Sequence, residues 1–297
     1  MDPMSVQEID PGRESDRICS LISRFVDGRH ASGLALGLSG GLDSSVAAAL
    51  AARALGPDLV HALMLPERDS SKESVDDARS HAEHLGIHFR IQDLTNALEE
   101  LGCYRSGASG IARLGDASRA VVNIFPGLAR KGFLKNLSGG GGRRFQEFVA
   151  FYRIKHRLRM VAVYREAEEK NLAAACCANR TEYETGFFVR YGDDAGDIAP
   201  IKHLYKTQVF RLGRHLGVPD RILDKRPSPD LFAGMNDEEL IGMRYSELDS
   251  ILWCIAQDLT DGEIETRTGS SRKSVSYVRD IISLSGRFRE PPVDLME

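Results

Sequence analysis

The chain has 297 residues, 42% of them hydrophobic, which is enough to bury a real core in one large or two small domains. Its formal net charge of −4 offers no overall attraction to nucleic acid, and no apolar run is long enough to span a membrane. The five cysteines (Cys19, Cys103, Cys176, Cys177 and Cys254) are odd in number and lack Cys-x-x-Cys spacing, which argues against a disulfide framework and a zinc site.

Met1 to Asp16 is polar and acidic, without the apolar core of a signal peptide, so a cytosolic protein is expected. Residues 15–30 carry Ile18, Leu21, Ile22 and Phe25 at helical spacing and predict an amphipathic helix. Leu34 to Leu38 reads as a buried strand, and Val46 to Ala52 as a helix. Leu59 to Met64 is a second strand, Ser71 to Leu85 a helix capped by Ser70 or Ser71, and Ile87 to Ile91 a third strand. Strands alternating with helices predict an α/β, doubly wound parallel sheet.

The alternation then breaks. Residues 103–144 carry scattered glycines and end in Gly139 to Gly142. A connection of that length inside a compact domain is functional or disordered, and four glycines in a row favour a mobile hinge or lid. A long helix resumes from about Phe145 to Lys170, followed by a fourth strand, Leu172 to Cys177. A helix from Lys206 to Leu216 stops at Gly217. Beyond Arg226-Pro227-Ser228-Pro229, helices are expected at 237–243, 246–258, 261–268 and 272–284. The expected organisation is a sheet domain over 15–230, interrupted by the 103–144 insertion, and a helical C-terminal appendage over 231–297.

Between the first strand and its helix lies Ser39-Gly40-Gly41-Leu42-Asp43-Ser44. Glycines let the backbone approach a ligand, and a helix N-terminus aims free N–H groups at it, so this is an anion site. Ser39, Ser44 and Ser45 add hydroxyls. Asp43 would repel a bare phosphate, which points to a bridging metal ion. No Gly-Lys-Ser/Thr follows and no Gly-x-Gly-x-x-Gly is present, so the loop is neither a Walker A loop nor a dinucleotide fingerprint. It resembles the Ser-Gly-Gly-x-Asp-Ser loop of the ATP pyrophosphatases, which cleave ATP between the α- and β-phosphates.

A second cluster joins Asn179-Arg180-Thr181-Glu182, Gly186-Phe187-Phe188, Tyr191-Gly192-Asp193, Asp197 and His203 to Gln208. Together with the loop, and with Leu65-Pro66, Asp76 to Ala78, Lys155 to Met160, Lys225 to Leu231 and Arg287 to Val293, it resembles the ammonia-dependent NAD synthases over nearly the whole chain. The resemblance implies an adenine nucleotide α-hydrolase-like fold and a two-step reaction. The carboxylate of deamido-NAD attacks the ATP α-phosphate, pyrophosphate leaves, and ammonia displaces AMP to give the amide. It also implies Mg2+, with Asp43 and Glu182 as its ligands and Lys206 on the phosphates. ATP contacts are implied at Gly37, Leu38, Ser39, Gly40, Gly41, Leu42, Asp43, Ser44, Cys177, Lys206 and Ser228. Acceptor contacts are implied at Arg157, Arg190, Asp197 and Arg287. The expected partners are small molecules (ATP, deamido-NAD and ammonia) and a second copy of the chain, with neither nucleic acid nor membrane.

The pattern has departures. Cys177 lacks the family hydroxyl, Arg190 replaces a lysine, Tyr152-Arg153 replaces Gly-Asn, and Gly286-Arg287 replaces His-Lys. These concentrate on the acceptor side and leave an adenylating ligase for another carboxylic acid as the main alternative. A tRNA sulfur-transfer enzyme and a non-catalytic nucleotide-binding protein are the more distant ones. No amidase domain fits the chain, so free ammonia is the expected nitrogen source, with a separate glutaminase subunit as the other supply.

Overall fold

The computed structural model describes residues 8–105, 126–140, 142–226 and 236–290. Helix α1 (Pro11–Gly28) begins earlier than its apolar stripe, because Asp10 accepts hydrogen bonds from the Gly12 and Arg13 amides and Pro11 suits the first turn. Strand β1 (Leu34–Gly37), helix α2 (Leu42–Leu55), strand β2 (Val60–Met64), helix α3 (Lys72–Leu85) and strand β3 (His88–Ile91) follow in alternation. The chain returns through the long helix α6 (Arg143–Lys170) to β4 (Ala173–Ala175). The four strands pair in parallel in the order β3-β2-β1-β4, as the alternation predicts.

Alternation of side chains across β1 separates two apolar layers. Leu34 and Leu36 pack with Ile18, Ile22, Val46 and Leu50 of α1 and α2. Ala35, with Leu63 and Ala174, faces Phe151, Met160 and Val163 of α6. Strand β4 is shorter than the apolar run 172–177, since the Cys176 amide donates to Ile198 O (2.8 Å) instead of continuing the pairing with β1.

Between β3 and α6 the chain forms α4 (Thr95–Glu100) and α5 (Pro126–Leu137). Residues 106–125 and Gly141 lie outside the described residues. Helix α5 corrects the expectation that regular structure resumes only at about Phe145. Its Phe133 and Leu137, four residues apart, are buried against the C-terminal helices, and this packing outweighs its glycines. After β4 come α7 (Arg180–Thr185), α8 (Lys206–His215) and α9 (Asp220–Leu223). The C-terminal third forms α10 (Asp237–Ile241), α11 (Tyr245–Ala256), α12 (Asp261–Thr268) and α13 (Arg272–Arg289) around Leu248, Ile251, Leu252, Val275 and Val278.

Candidate active site

A cavity of about 530 Å³ opens at the carboxyl ends of β1 and β4. The chain leaves β1 outward to β2 and β3 and returns to β4 on the other side, so this is where strand order reverses and a crevice forms. Gly37, Leu38, Ser39, Gly40, Gly41, Leu42, Asp43, Ser44, Cys177, Glu182 and Lys206 all line it. Ser228 lies outside the described residues.

The loop after β1 is built by its own side chains. The Gly41 amide donates to Ser39 Oγ (3.2 Å), and Ser44 Oγ and Ser45 Oγ donate to Gly41 O (3.2 and 2.8 Å). Gly40 has φ of +77°, and a Cβ there would stand 2.1 Å from Ser74 O, so the turn admits no side chain. Gly41 caps α2 without a side-chain bond, which leaves the opening amides of that helix for a ligand.

Three charged groups converge at the rim of this loop. Lys206 Nζ donates to Asp43 Oδ2 and lies 3.6 Å from Glu182 Oε1. Asn179 Nδ2 donates to Asp43 Oδ1 (2.9 Å), while the Asn179 amide donates to Glu182 Oε2 (3.1 Å) and Asn179 Oδ1 accepts from the Glu182 amide (3.0 Å). The last two bonds are the capping box of α7. Burial pushes the Glu182 carboxyl well above the usual range and Asp43 adds to it, with Lys206 opposing. Burial works against the Lys206 charge, but Asp43 and Glu182 outweigh it and hold the ammonium charged.

Two carboxylates sharing one ammonium are hard oxygen donors, the type Mg2+ takes. Among the described residues no three His, Cys, Asp or Glu side chains form a metal cage. The residues therefore fit an ion held by Asp43 and Glu182, with the remaining oxygens coming from substrate and water.

Several cavity residues carry no role in the sequence reading. Asp193 is 38% exposed, but towards the cavity, and burial pushes its carboxyl up to about 7. Its Oδ1 accepts from the Val189 amide (2.7 Å), and His156 Nδ1 lies 3.8 Å away. Asp237 opens α10, accepts from Tyr245 Oη (2.9 Å) at Oδ2, and is pushed by burial to about 6. Asn179, buried just behind the cavity wall, has no role implied by the motif, although it touches both carboxylates. A glycine–carboxylate loop at 192–197 is the sequence signal that points near Asp193. Nothing in the pattern marks Asp237.

The expected acceptor residues do not form one group. Arg157, Arg190 and Arg287 line a separate opening with Arg153, Tyr191 and Phe288. Arg157 Nε donates to Arg190 O (3.1 Å), and none of the four arginines makes an ion pair with a described carboxylate. Guanidinium groups gathered with no carboxylate partner among the described residues suit phosphate oxygens. Asp197, expected as an acceptor contact, lines neither opening. Its Oδ2 accepts from the Ala174 amide (2.9 Å) at the start of β4, and Oδ1 is 3.8 Å from Arg29. Gly139, at φ +70°, packs against the Arg287 guanidinium, where a Cβ would come within 3.1 Å of Nη2.

The sequence model of the NAD synthase family matches residues 14–116 and 142–292. The chain is 42% identical over 278 residues to the NH(3)-dependent NAD(+) synthetase of Thermotoga maritima, covering 92% of this chain and 96% of that protein. It is 33% identical over 287 residues to that of Methanocaldococcus jannaschii, covering 95% and 97%. Among solved structures, the NMN synthetase from Francisella tularensis superposes with a TM-score of 0.72 at 27% identity, covering 97% of this chain and 99% of that one. The NH3-dependent NAD synthetase from Campylobacter jejuni superposes with a TM-score of 0.71 at 21% identity, covering 97% and 100%.

Proposed function

The chain belongs to the NAD synthase family, and from that premise we propose that it amidates deamido-NAD to NAD with ATP and ammonia, a C–N ligation that releases AMP and pyrophosphate. The observation that carries this reading is the Asp43–Lys206–Glu182 cluster at the lip of the loop after β1. It puts one fixed positive charge and two metal-type carboxylates where a triphosphate would lie.

The chemistry is positioning and charge neutralisation. Magnesium bound by Asp43 and Glu182 would offset triphosphate charge. The α2 N-terminus and the serine loop orient the phosphates, and Lys206 stabilises negative charge on the α-phosphate and on departing pyrophosphate. The acceptor carboxylate oxygen bonds to the α-phosphorus while the bond to pyrophosphate breaks. Ammonia then bonds to the acyl carbon, AMP leaves, and the surplus proton goes to Asp193, whose carboxyl lies near 7. The arginine opening takes the phosphates of the acceptor, with Arg157, Arg190 and Arg287 as contacts. Asp197 holds β4 in this chain, and an acceptor contact there would need a different partner arrangement.

An insertion over 103–144 is part of this proposal, supported by the family model's leaving residues 117–141 unmatched. The division into a sheet domain over 15–230 and a helical segment over 231–297 remains part of this proposal. A homodimer is proposed as well, supported by Phe89 and Ile91, both exposed on the edge strand β3. Five free cysteines suit a reducing compartment, and among the described residues no helix is long and apolar enough to cross a membrane. Both support a cytosolic site.

The kinship with an NMN synthetase favours nicotinate mononucleotide as the second acceptor to test. Purified protein is incubated with ATP, Mg2+, ammonium and either acid, and products are separated by chromatography and mass. NAD with equimolar AMP and pyrophosphate is the expected result. Amidation of the mononucleotide alone would move the assignment to that acceptor, and ADP as product would refute the mechanism.

A further inference from the structure

Asp249 on α11 is completely buried and lines neither opening, yet it bonds to the residues beside both charged groups of the site. Its Oδ1 accepts from Thr181 Oγ1 (2.6 Å), and its Oδ2 accepts from the Thr207 amide (2.8 Å). Thr181 Oγ1 in turn accepts from the Lys206 amide (2.9 Å). Thr181 precedes Glu182 on α7, and Thr207 follows Lys206 on α8.

The first amides of a helix have no partner within it. Here the opening two of α8 are both taken, one by Asp249 and one by the hydroxyl that Asp249 orients. The positive end of α8 is therefore closed to a ligand, and only the Lys206 ammonium reaches the cavity. Tyr245, one turn earlier on the same face of α11, sets its ring 5.4 Å from that ammonium.

We propose that Asp249 is a positioning residue, a strut from the C-terminal helices that fixes α7 and α8 relative to each other and so holds Glu182 and Lys206 at their spacing against Asp43. The proposal rests on the amidation reading only in taking Glu182 and Lys206 as working groups. A carboxylate is suited to the task because both oxygens must accept. An apolar replacement would take the acceptor from the buried Thr181 O–H and from the Thr207 amide, and asparagine would turn a donor towards Thr181.

The test compares Asp249→Asn, Thr181→Val and Thr181→Ser with wild type. Three readouts are used: kcat for pyrophosphate release, KM for ATP, and the Mg2+ midpoint for ATP binding. Asp249→Asn should lower kcat roughly 10²-fold, as a small misplacement can, with a much smaller change in KM, and should raise the Mg2+ midpoint. Thr181→Val should act in the same direction, and Thr181→Ser should retain more activity than Thr181→Val. The Asp249→Asn/Thr181→Val double variant should lose no more than the worse single, because the two share one network. Wild-type kcat and Mg2+ midpoint in folded Asp249→Asn overturn the proposal, as does a double variant whose loss is the product of the singles. If Asp249→Asn does not fold, Thr181→Val decides, and wild-type behaviour there overturns it. Wild-type protein that binds ATP but makes no NAD refutes the amidation reading instead, and the Mg2+ midpoint still tests the strut.

Discussion

Asn179 Nδ2 donates to Asp43 Oδ1 at 2.9 Å across 136 positions of sequence. One amide side chain thus ties the loop after β1 to the segment after β4, while its own backbone and carbonyl oxygen close the cap of α7 around Glu182.

Asn179→Ala should therefore do two things at once. Loss of the cap should cost about 1 kcal/mol of stability, read as a lower midpoint in chemical denaturation. Release of Asp43 should lower turnover further, about 10²-fold at limiting Mg2+. Full activity at limiting Mg2+ would show that Asp43 needs no such tether.

Lys206→Met should abolish most turnover and leave a pH-dependent weakness. Without the ammonium, Glu182 keeps the burial and the Asp43 charge that already raise its carboxyl. A carboxyl raised in the folded state contributes stability that is complete below its unfolded value and lost as pH rises through its folded value. The melting temperature of Lys206→Met should thus fall, as pH rises above the ordinary carboxylate range, more steeply than that of wild type. Parallel curves for the two proteins would contradict the arrangement.

Asp193 must be ionised to accept a proton, and its carboxyl lies near 7. At saturating ammonium, kcat should rise with pH through about 7 and then level off. Asp193→Asn should lower kcat and remove that rise. An unchanged profile in the variant would assign the proton to another group.

Arg157→Ala should raise KM for the acceptor with little change in KM for ATP, since Arg157 lines the arginine opening and not the cavity at the serine loop. Equal changes in both constants would place the arginine set elsewhere in the reaction.

All five thiols are pushed up by burial, Cys176 to about 12 and Cys177 well above its ordinary value. The thiolate is the reactive form, so iodoacetamide at neutral pH should leave Cys176 and Cys177 unmodified in the folded protein. Rapid labelling of Cys177, measured by peptide mass, would revive the sulfur-transfer alternative.

Local signals make part of this legible in the sequence. The apolar run before Ser39 and the small-residue helix after Asp43 define a strand–turn–helix by themselves, and the alternation to Ile91 fixes a parallel sheet. Helix α5 is hidden, because Phe133 and Leu137 acquire an apolar partner only when helices a hundred residues later fold over them. The end of β4 is hidden for a related reason: Ile198 competes for the Cys176 amide. In the site, Asp43, Glu182 and Lys206 stand in recognisable motifs. Asn179, Asp237 and Asp249 acquire their places through contacts between distant segments, which no spacing along the chain expresses.

The seam between β1 and β4 joins three pairs of residues, against four between β1 and β2. The cluster of Asp43, Glu182 and Lys206 straddles the narrower seam. Strands β1, β2 and β3 and the serine loop all precede Asn179 in the chain, whereas Glu182 and Lys206 follow β4. By itself, the loop has one carboxylate and no counterion. The three charged groups therefore meet only where the segments after β4 close against the loop after β1.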